Sequence, residues 1–269
     1  MEDTMREDAK LPILLKELRL KSMQSLWEGA SKTAIEENWL HSRYLAYLCE
    51  NEMNDRYQKR IALHMKQAQL PYGKSLATYR FECTPSLNKA RVQDLAENTQ
   101  WVKDHGNVLI FGPSGVGKTH LASAIGLSLI EKGIRVFFSN TTTLVQKLQL
   151  ARKELQLPQA LGKLDLYQVL ILDDIGYVRK DDAETHVLFE LIAHRYETGS
   201  MMITSNQAFS EWDSIFANSA MTVAAIDRLV HHATILEVVA ESYRKATCAG
   251  EMQNKSENDT KNISEQIAA

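Results

Sequence analysis

The sequence predicts an α/β fold in which a parallel five-stranded sheet, covered by helices on both faces, follows a small all-α N-terminal domain. Three observations support this fold class. Residues 10 to about 70 carry apolar side chains at helical spacing, with few helix breakers among them. Five short apolar runs then alternate with helical segments from Leu87 to about Ala249. The chain has 269 residues, of which 44% are hydrophobic, so a sizeable core can form.

Composition divides the chain into four parts. Residues 1–73 form the predicted helical N-terminal domain, and residues 74–86 form a linker. Residues 87–249 form the predicted α/β domain. Residues 250–269 are polar with almost nothing to bury, so we expect a disordered tail. The predicted strands are the five apolar runs Val108–Phe111, Val136–Phe138, Val169–Leu172, Met201–Thr204 and Ile235–Val239.

Charge and cysteine content exclude several classes of protein. The formal net charge of -3 argues against a generally basic surface, so binding to nucleic acid would need a local basic patch or an assembly of such patches. Cys49, Cys83 and Cys248 are widely spaced, which argues against a disulfide framework and against a zinc site. Neither a membrane-spanning apolar run nor a signal sequence is evident, so we expect a cytoplasmic protein without a membrane span.

A glycine-rich motif follows the first predicted strand and opens a helix. It matches G-x-x-x-x-G-K-[ST] at every fixed position. The backbone N–H groups of such a loop, together with the helix N-terminus, bind phosphate. Lys118 is expected to reach the β- and γ-phosphates of ATP, and the Thr119 hydroxyl to ligate Mg²⁺. The predicted nucleotide-binding residues are Gly112, Pro113, Ser114, Gly115, Val116, Gly117, Lys118, Thr119 and His120.

A later apolar strand ends in two carboxylates, Asp173 and Asp174. After a phosphate-binding loop this pattern predicts a Walker B element, in which Asp173 holds Mg²⁺ and Asp174 polarises the attacking water. Alone, the pattern also fits a buried strand with an acidic turn. Asn206 follows the next strand. If that strand lies between the other two, Asn206 points at the γ-phosphate and orients the water; otherwise it is a turn former.

Two arginines, Arg228 and Arg244, complete the set of candidate catalytic residues. A guanidinium donates bidentately to phosphate oxygens and stays charged, although many surface arginines are only solvated or ion-paired. With these segments the sequence resembles the IstB-type transposition helper ATPases, relatives of the DnaC-type helicase loaders in the AAA+ superfamily. The matching stretches are Gly112–Ala122, Leu170–Gly176, Thr204–Gln207, Asp227–His231 and Ser242–Arg244, with further likeness around Leu14–Met23 and Glu52–Arg60.

The resemblance implies an AAA+ P-loop ATPase domain with the Asn206 strand between the other two. It implies that Arg228 acts in trans on ATP bound by a neighbouring subunit, and that Arg244 acts in cis on the γ-phosphate. The family assembles on duplex DNA with ATP, deforms the DNA and recruits or stimulates the transposase of the same element. The family often has glutamate where this chain has Asp174, so we expect slow basal hydrolysis.

The resemblance also makes the helical stretch Thr142–Leu164 the leading DNA-binding surface. A helix of the N-terminal domain adds a second basic run, and either run could instead be an ordinary solvated face. Contacts with phosphate would be largely independent of sequence, and a homo-oligomeric ring, helix or filament would multiply them. The candidate DNA-binding residues are Lys147, Arg152, Lys153, Arg56, Lys59 and Arg60.

Three other functions stay open at the level of sequence. A helicase loader would use the same ATPase core, because the N-terminal domain chooses the client. A small-molecule P-loop kinase would need no arginine from a neighbouring subunit. A non-enzymatic nucleotide-binding scaffold would require turnover to stay unchanged when Asp174 is changed to Asn.

Overall fold

The computed structural model describes residues 2–176, 181–208, 211–212 and 219–239. The chain divides after Leu63 into two compact units, Met1–Leu63 and His64–Ala269. The predicted Arg244 and the predicted tail, residues 250–269, lie outside the described residues. Within the described ranges, no helix combines the length and the apolar character needed to cross a membrane.

The N-terminal region is helical, as predicted. Its helices are α1 (Glu2–Glu17), α2 (Lys21–Glu36) and α3 (His41–Ala68). A small apolar core, which includes Leu15, Met23, Ala30 and Leu48, holds the first unit together. Glu52, buried on α3, accepts hydrogen bonds from the backbone N–H groups of Ser22 (2.7 Å) and Met23 (3.1 Å). This carboxylate therefore satisfies donors in the first turn of α2 that the helix itself leaves unpaired.

The second unit is a parallel sheet with helices, which confirms the predicted fold class. Its strands are β1 (Asn107–Phe111), β2 (Val136–Asn140), β3 (Val169–Asp173), β4 (Ser200–Ser205) and β5 (Ala233–Glu237), in the order β2-β3-β4-β1-β5. Its helices are α4 (Lys89–Glu97), α5 (Gln100–Lys103), α6 (Lys118–Glu131), α7 (Thr141–Lys153), α8 (Leu157–Leu164), α9 (Asp182–Arg195) and α10 (Ser219–Val230), and a short 3-10 helix spans Phe81–Cys83. Every residue of β1, β3 and β4 is buried, as expected for a sheet covered on both faces.

The strand register brings the candidate site residues to one edge of the sheet. Phe111 at the end of β1 pairs with Ser205 at the end of β4, and Asp173 at the end of β3 pairs with Asn140. The loops after these strands therefore meet at what we call the carboxyl edge, and the strands begin at the opposite, amino edge. Because β4 lies between β1 and β3, the topological condition for the predicted role of Asn206 is met.

Helix α6 packs very closely on the sheet at Gly126. A Cβ atom at this position would lie 2.7 Å from Cδ1 of Ile171 on β3 and 3.5 Å from Cδ2 of Leu70. The side chains of Leu121, Ile125 and neighbouring apolar residues of the same helix are fully buried. Glycine in the middle of the helix thus permits the close approach of α6 to the sheet.

The helical stretch predicted over Thr142–Leu164 is interrupted. Helix α7 ends at Lys153, and α8 begins at Leu157. Between them Leu155 adopts a left-handed backbone conformation, with φ of 58°. Pro158, in the first turn of α8, is an ordinary signal for the start of a helix, whereas no glycine marks the left-handed residue before it.

Candidate nucleotide-binding site

The glycine-rich loop has the backbone that a phosphate cradle needs. Gly117 has φ of 100° and directly precedes α6. Gly112 has φ of 149°, and a Cβ atom there would collide with the carbonyl oxygen of Val238. These two positions therefore require glycine, and the loop leads straight into the N-terminus of a 14-residue helix, whose unpaired N–H groups favour an anion.

Lys118 is held inside this loop. Its side chain is buried with 7% exposure, and Nζ donates to the carbonyl oxygens of Gly112 and Pro113, each at 2.8 Å. The ammonium group thus lies where the loop encloses it, rather than in solvent. A cation so placed can donate to phosphate oxygens bound by the same loop.

A chain of hydrogen bonds joins α6, β3 and β4 through the Asp173 carboxylate. Oδ2 of Asp173 accepts from the Thr119 hydroxyl at 3.0 Å, and Oδ1 accepts from the Thr204 hydroxyl at 2.7 Å. The Thr141 hydroxyl donates to the backbone oxygen of Asp173 at 2.9 Å. Asp173 is 9% exposed, and these three hydrogen bonds hold its carboxylate and its backbone oxygen in place. Sequence reasoning found Thr119 and Asp173 but missed Thr204 and Thr141.

Asp174 and Asn206 follow β3 and β4 at the carboxyl edge. Asp174 has φ of 63°, a left-handed conformation that is uncommon for a residue with a side chain. Its backbone N–H donates to the Thr204 hydroxyl at 2.8 Å, which helps to hold this turn. Asn206 is exposed and follows Ser205, whose carbonyl accepts from the Gly112 N–H at 3.2 Å. Asn206 is thus adjacent in sequence to a residue bonded to the phosphate-binding loop.

The segment that the sequence predicts as a linker packs against the same loop. Nε2 of His120 lies 3.1 Å from the carbonyl oxygen of Ser75 and 3.1 Å from the Thr78 hydroxyl. The ring of Tyr79, which is buried, contacts His120 edge to face at a centroid distance of 5.3 Å and lies against Gly117. Burial lowers the pKa of His120, which favours the neutral imidazole. Sequence alone gave no signal for these contacts, because they join residues distant along the chain.

Arg228 lies at the amino edge, away from the glycine-rich loop of its own chain. The carbonyl of the next residue, Leu229, accepts from Nδ2 of Asn107 at 3.1 Å, and Asn107 is the first residue of β1. The glycine-rich loop begins at the other end of this five-residue strand, about 13 Å away. Nη1 of Arg228 donates to the Ala224 carbonyl at 2.8 Å, and the guanidinium lies 5.3 Å from the ring centroid of Phe189.

The predicted DNA-binding residues fall into two different environments. On α7, Lys147 and Lys153 are exposed, and Arg152 pairs with Glu190 at 3.3 Å. In the N-terminal unit, two of the three candidates are already paired with acids on their own helix. Arg56 pairs with Glu52 at 2.8 Å, and Lys59 pairs with Asp55 at 2.6 Å. The guanidinium carbon of Arg60 lies 5.3 Å from the centroid of the Tyr57 ring.

The donor groups at the carboxyl edge fit ATP and Mg²⁺. The loop and α6 offer N–H groups and one ammonium group to phosphate, as described above. The Thr119 hydroxyl and the Asp173 carboxylate, 3.0 Å apart, are hard oxygen ligands of the kind that Mg²⁺ prefers. The parallel sheet and this loop define a protein of the P-loop nucleotide-binding class.

The chain belongs to the family of IstB-like ATP-binding proteins, whose model matches residues 13–250. It is 52% identical over 239 residues to an insertion-sequence ATP-binding protein of Sinorhizobium fredii, covering 89% of this chain and 80% of that protein. It is 35% identical to the ATP-binding protein of insertion sequence IS21 from Pseudomonas aeruginosa, covering 87% and 88%. The crystal structure of the DnaC helicase loader has a similar fold, with a TM-score of 0.52, 21% identity, and coverage of 62% of this chain and 97% of that one.

Proposed function

We propose that the protein is an ATP-dependent switch that assembles on duplex DNA and acts with the transposase of the same insertion sequence. The position of Arg228 carries this proposal. It lies at the amino edge, beside Leu229 and Asn107, whereas the glycine-rich loop lies at the carboxyl edge. Arg228 would therefore reach bound phosphates only in a neighbouring copy. A site completed between copies makes hydrolysis depend on assembly, because an arginine finger stabilises the transition-state charge.

Within one subunit, the hydrolytic roles follow the hydrogen bonds at the carboxyl edge. Lys118 and the loop would bind the phosphates of ATP, and Thr119 and Asp173 would ligate Mg²⁺. Bound Mg²⁺ neutralises phosphate charge. Asp174 would then polarise the attacking water, and Asn206 would orient it. Arg244, which lies outside the described residues, would act in cis on the γ-phosphate, as the family resemblance implies.

Helix α7 is the proposed DNA-binding surface of each subunit. It carries Lys147, Arg152 and Lys153 and no acidic residue, in a chain whose net charge is -3. The pairing of Arg56 and Lys59 with acids makes the N-terminal run the weaker candidate, because its charge is already partly compensated. Each subunit would neutralise only a few phosphates, so tight binding would come from the ATP-dependent assembly.

The N-terminal unit is the proposed contact with the transposase. Helix α1 and the turn directly after it expose three large apolar side chains, Ile13, Leu14 and Leu18. Exposed apolar groups of this kind are typical of a surface that binds another protein. The insertion-sequence names of the relatives support a transposase as the client, over the helicase-loading alternative.

Anisotropy of a fluorescently labelled duplex tests the DNA-binding part of the proposal. We expect binding that requires ATP, increases with duplex length, tolerates changes of sequence and weakens steeply with salt. The triple variant with Lys147, Arg152 and Lys153 changed to Ala should lose most DNA binding and keep ATP binding. The matched control is Lys132→Ala, an exposed lysine at the end of α6. Equal binding without nucleotide, or no binding at low salt, would contradict the proposal.

Co-purification with the transposase tests the partner. Leu14→Asp and Leu18→Asp should abolish this complex without changing ATP binding, because they place charge on an apolar surface. Lys16→Asp, on the same helix, is the control for a change of charge. Retention of the complex by both leucine variants would rule out α1 as the contact.

A further inference from the structure

The turn after α7 places a leucine where the backbone favours glycine. The N–H of Leu155 donates to the Arg152 carbonyl at 3.0 Å, and the N–H of Gln156 donates to the Ala151 carbonyl at 2.7 Å. This pair of bonds is the Schellman motif, whose central residue is left-handed and is usually glycine. Leu155 has φ of 58°, so its Cβ makes this conformation unfavourable.

The same leucine is also almost completely exposed. Its side chain is 89% exposed, and that of Leu150, in the last turn of α7, is 58% exposed. Backbone strain and apolar exposure thus coincide at one residue, and packing compensates for neither. Glycine would relieve both, so the apolar group is kept at a cost, which indicates that it is presented for contact with another molecule.

We propose that Leu155 is an apolar wedge that enters duplex DNA between base pairs and bends it. This inference rests on the proposed binding of duplex DNA and names the residue that deforms it. Lys147 and Lys153, exposed on the same helix, would hold phosphates on the flanking backbone. Some proteins kink DNA by inserting an apolar side chain such as leucine between neighbouring base pairs, while cations bind the adjacent phosphates.

Charge favours DNA over a protein as the occupant of this surface. Helix α7 has three basic residues and no acidic one. Glu190 compensates Arg152, and the exposed Glu154 stands between Lys153 and Leu155, but the exposed Lys147 and Lys153 leave this surface net positive. A polyanion complements this surface, whereas a second copy of a chain with a net charge of -3 offers no comparable density of negative charge.

Helix α7 also connects the wedge to the nucleotide-binding site. Its first residue, Thr141, donates through its hydroxyl to the backbone oxygen of Asp173 at 2.9 Å. Its buried face, Leu144, Val145 and Leu148, packs in the core of the second unit. One 13-residue helix, about 20 Å long, therefore joins a predicted Mg²⁺ ligand to the turn that carries Leu155. A shift at Asp173 would reach the wedge through this helix.

Energy transfer between dyes at the two ends of a short duplex measures bending, and anisotropy of the same duplex measures binding. The full-length protein with ATP should bend the duplex, and Leu155→Gly and Leu155→Ser should abolish bending while affinity falls no more than about threefold. The matched control is Leu166→Ser, which removes another exposed leucine, 59% exposed, beside the acidic Asp165. This control should bend DNA as the unmodified protein does.

Thermal unfolding separates loss of the wedge from loss of the fold. Leu155→Gly should melt no lower than the unmodified protein, because glycine adopts the left-handed conformation without strain. Bending by Leu155→Gly equal to that of the unmodified protein would overturn the inference, as would binding by the unmodified protein without any bending. A change in assembly without DNA, with bending unaffected, would assign Leu155 to a contact between copies instead. Absence of all DNA binding would refute the proposed function itself.

Discussion

The two edges of the sheet differ in how their functional side chains are held. At the carboxyl edge, the Asp173 carboxylate accepts from Thr119 and Thr204, and Lys118 donates to its own loop. At the amino edge, Arg228 donates to its own helix and lies over an aromatic ring. The candidate residues of the first edge are joined in one network, whereas the candidate arginine at the second edge is held mainly by its own helix.

This difference is the basis of the proposed division of roles between copies of the chain. The network at the carboxyl edge contains the groups needed to bind a nucleotide, so binding is expected of a single subunit. Arg228, the proposed arginine finger, precedes Leu229, whose carbonyl is bonded at the other edge. Variants that separate binding from turnover therefore test the comparison directly.

The largest effect is expected for Arg228→Ala. Turnover should fall by about a thousandfold, because an arginine finger contributes on that scale, while the affinity for ATP stays unchanged. Phosphate release and binding of a fluorescent ATP analogue measure the two quantities. Mixing Arg228→Ala with Asp174→Asn should restore part of the activity, since the first copy supplies an intact Asp174 and the second supplies Arg228. Normal turnover by Arg228→Ala alone would show that the site is complete within one subunit.

A smaller loss is expected for Asp174→Asn. Turnover should fall by about a hundredfold, since the amide cannot polarise water as a carboxylate does, and ATP should still bind. Single-turnover hydrolysis measures this step. Asp174→Glu is the informative companion: its longer carboxylate should hydrolyse ATP at least as fast. If Asp174→Asn turns over ATP as the unmodified protein does, Asp174 loses its proposed role.

Thr204→Val tests the network rather than the reacting groups. Without the hydroxyl, Oδ1 of Asp173 and the N–H of Asp174 both lose a partner. The concentration of Mg²⁺ that supports half-maximal turnover should rise by about tenfold, the scale seen when a residue that orients a metal ligand is removed. Thr204→Ser keeps the hydroxyl and should behave like the unmodified protein. An unchanged Mg²⁺ dependence in Thr204→Val would mean that Asp173 is positioned without Thr204.

The smallest effect is expected for Asn107→Ala at the amino edge, which should change stability and leave the nucleotide-binding site intact. Nδ2 of Asn107 donates to the Leu229 carbonyl, and its Oδ1 accepts from the Met201 N–H at 2.9 Å. Loss of these two buried bonds should lower the free energy of unfolding by about 2 kcal/mol. Urea denaturation measures the loss, and ATP affinity should not change. Weakened ATP binding would indicate that the two edges are coupled through β1.

The sequence predicted the parts of the site whose chemistry is local. A glycine-rich loop must be contiguous, and a carboxylate pair after an apolar strand is visible in a single segment, so Lys118, Thr119 and Asp173 were found. The helical N-terminal region and the parallel sheet followed from apolar periodicity. The position of the Asn206 strand depended on sheet order, which the family resemblance supplied and the structure confirmed.

The features that were missed depend on contacts between distant residues or on an unfavourable backbone conformation. Thr204 contacts Asp173 across 31 positions of the chain, and a threonine in a strand is ordinary in composition. The break in the Thr142–Leu164 stretch was missed although Pro158 signals the start of a helix; its left-handed residue is Leu155, where glycine or asparagine is usual. The Glu52 carboxylate that pairs with Arg56 was not foreseen, because its role as a cap for α2 depends on packing between helices.

Gly126 has a consequence for how the protein can move. Glycine in a helix interior costs about 1 kcal/mol relative to alanine, so its use here sacrifices helix propensity for the close approach of α6 to Ile171. With no clearance between helix and sheet, α6 cannot slide or rotate without displacing β3. The glycine-rich loop that leads into α6 should therefore stay in place relative to β3 during ATP hydrolysis. The surrounding elements should then undergo the conformational change.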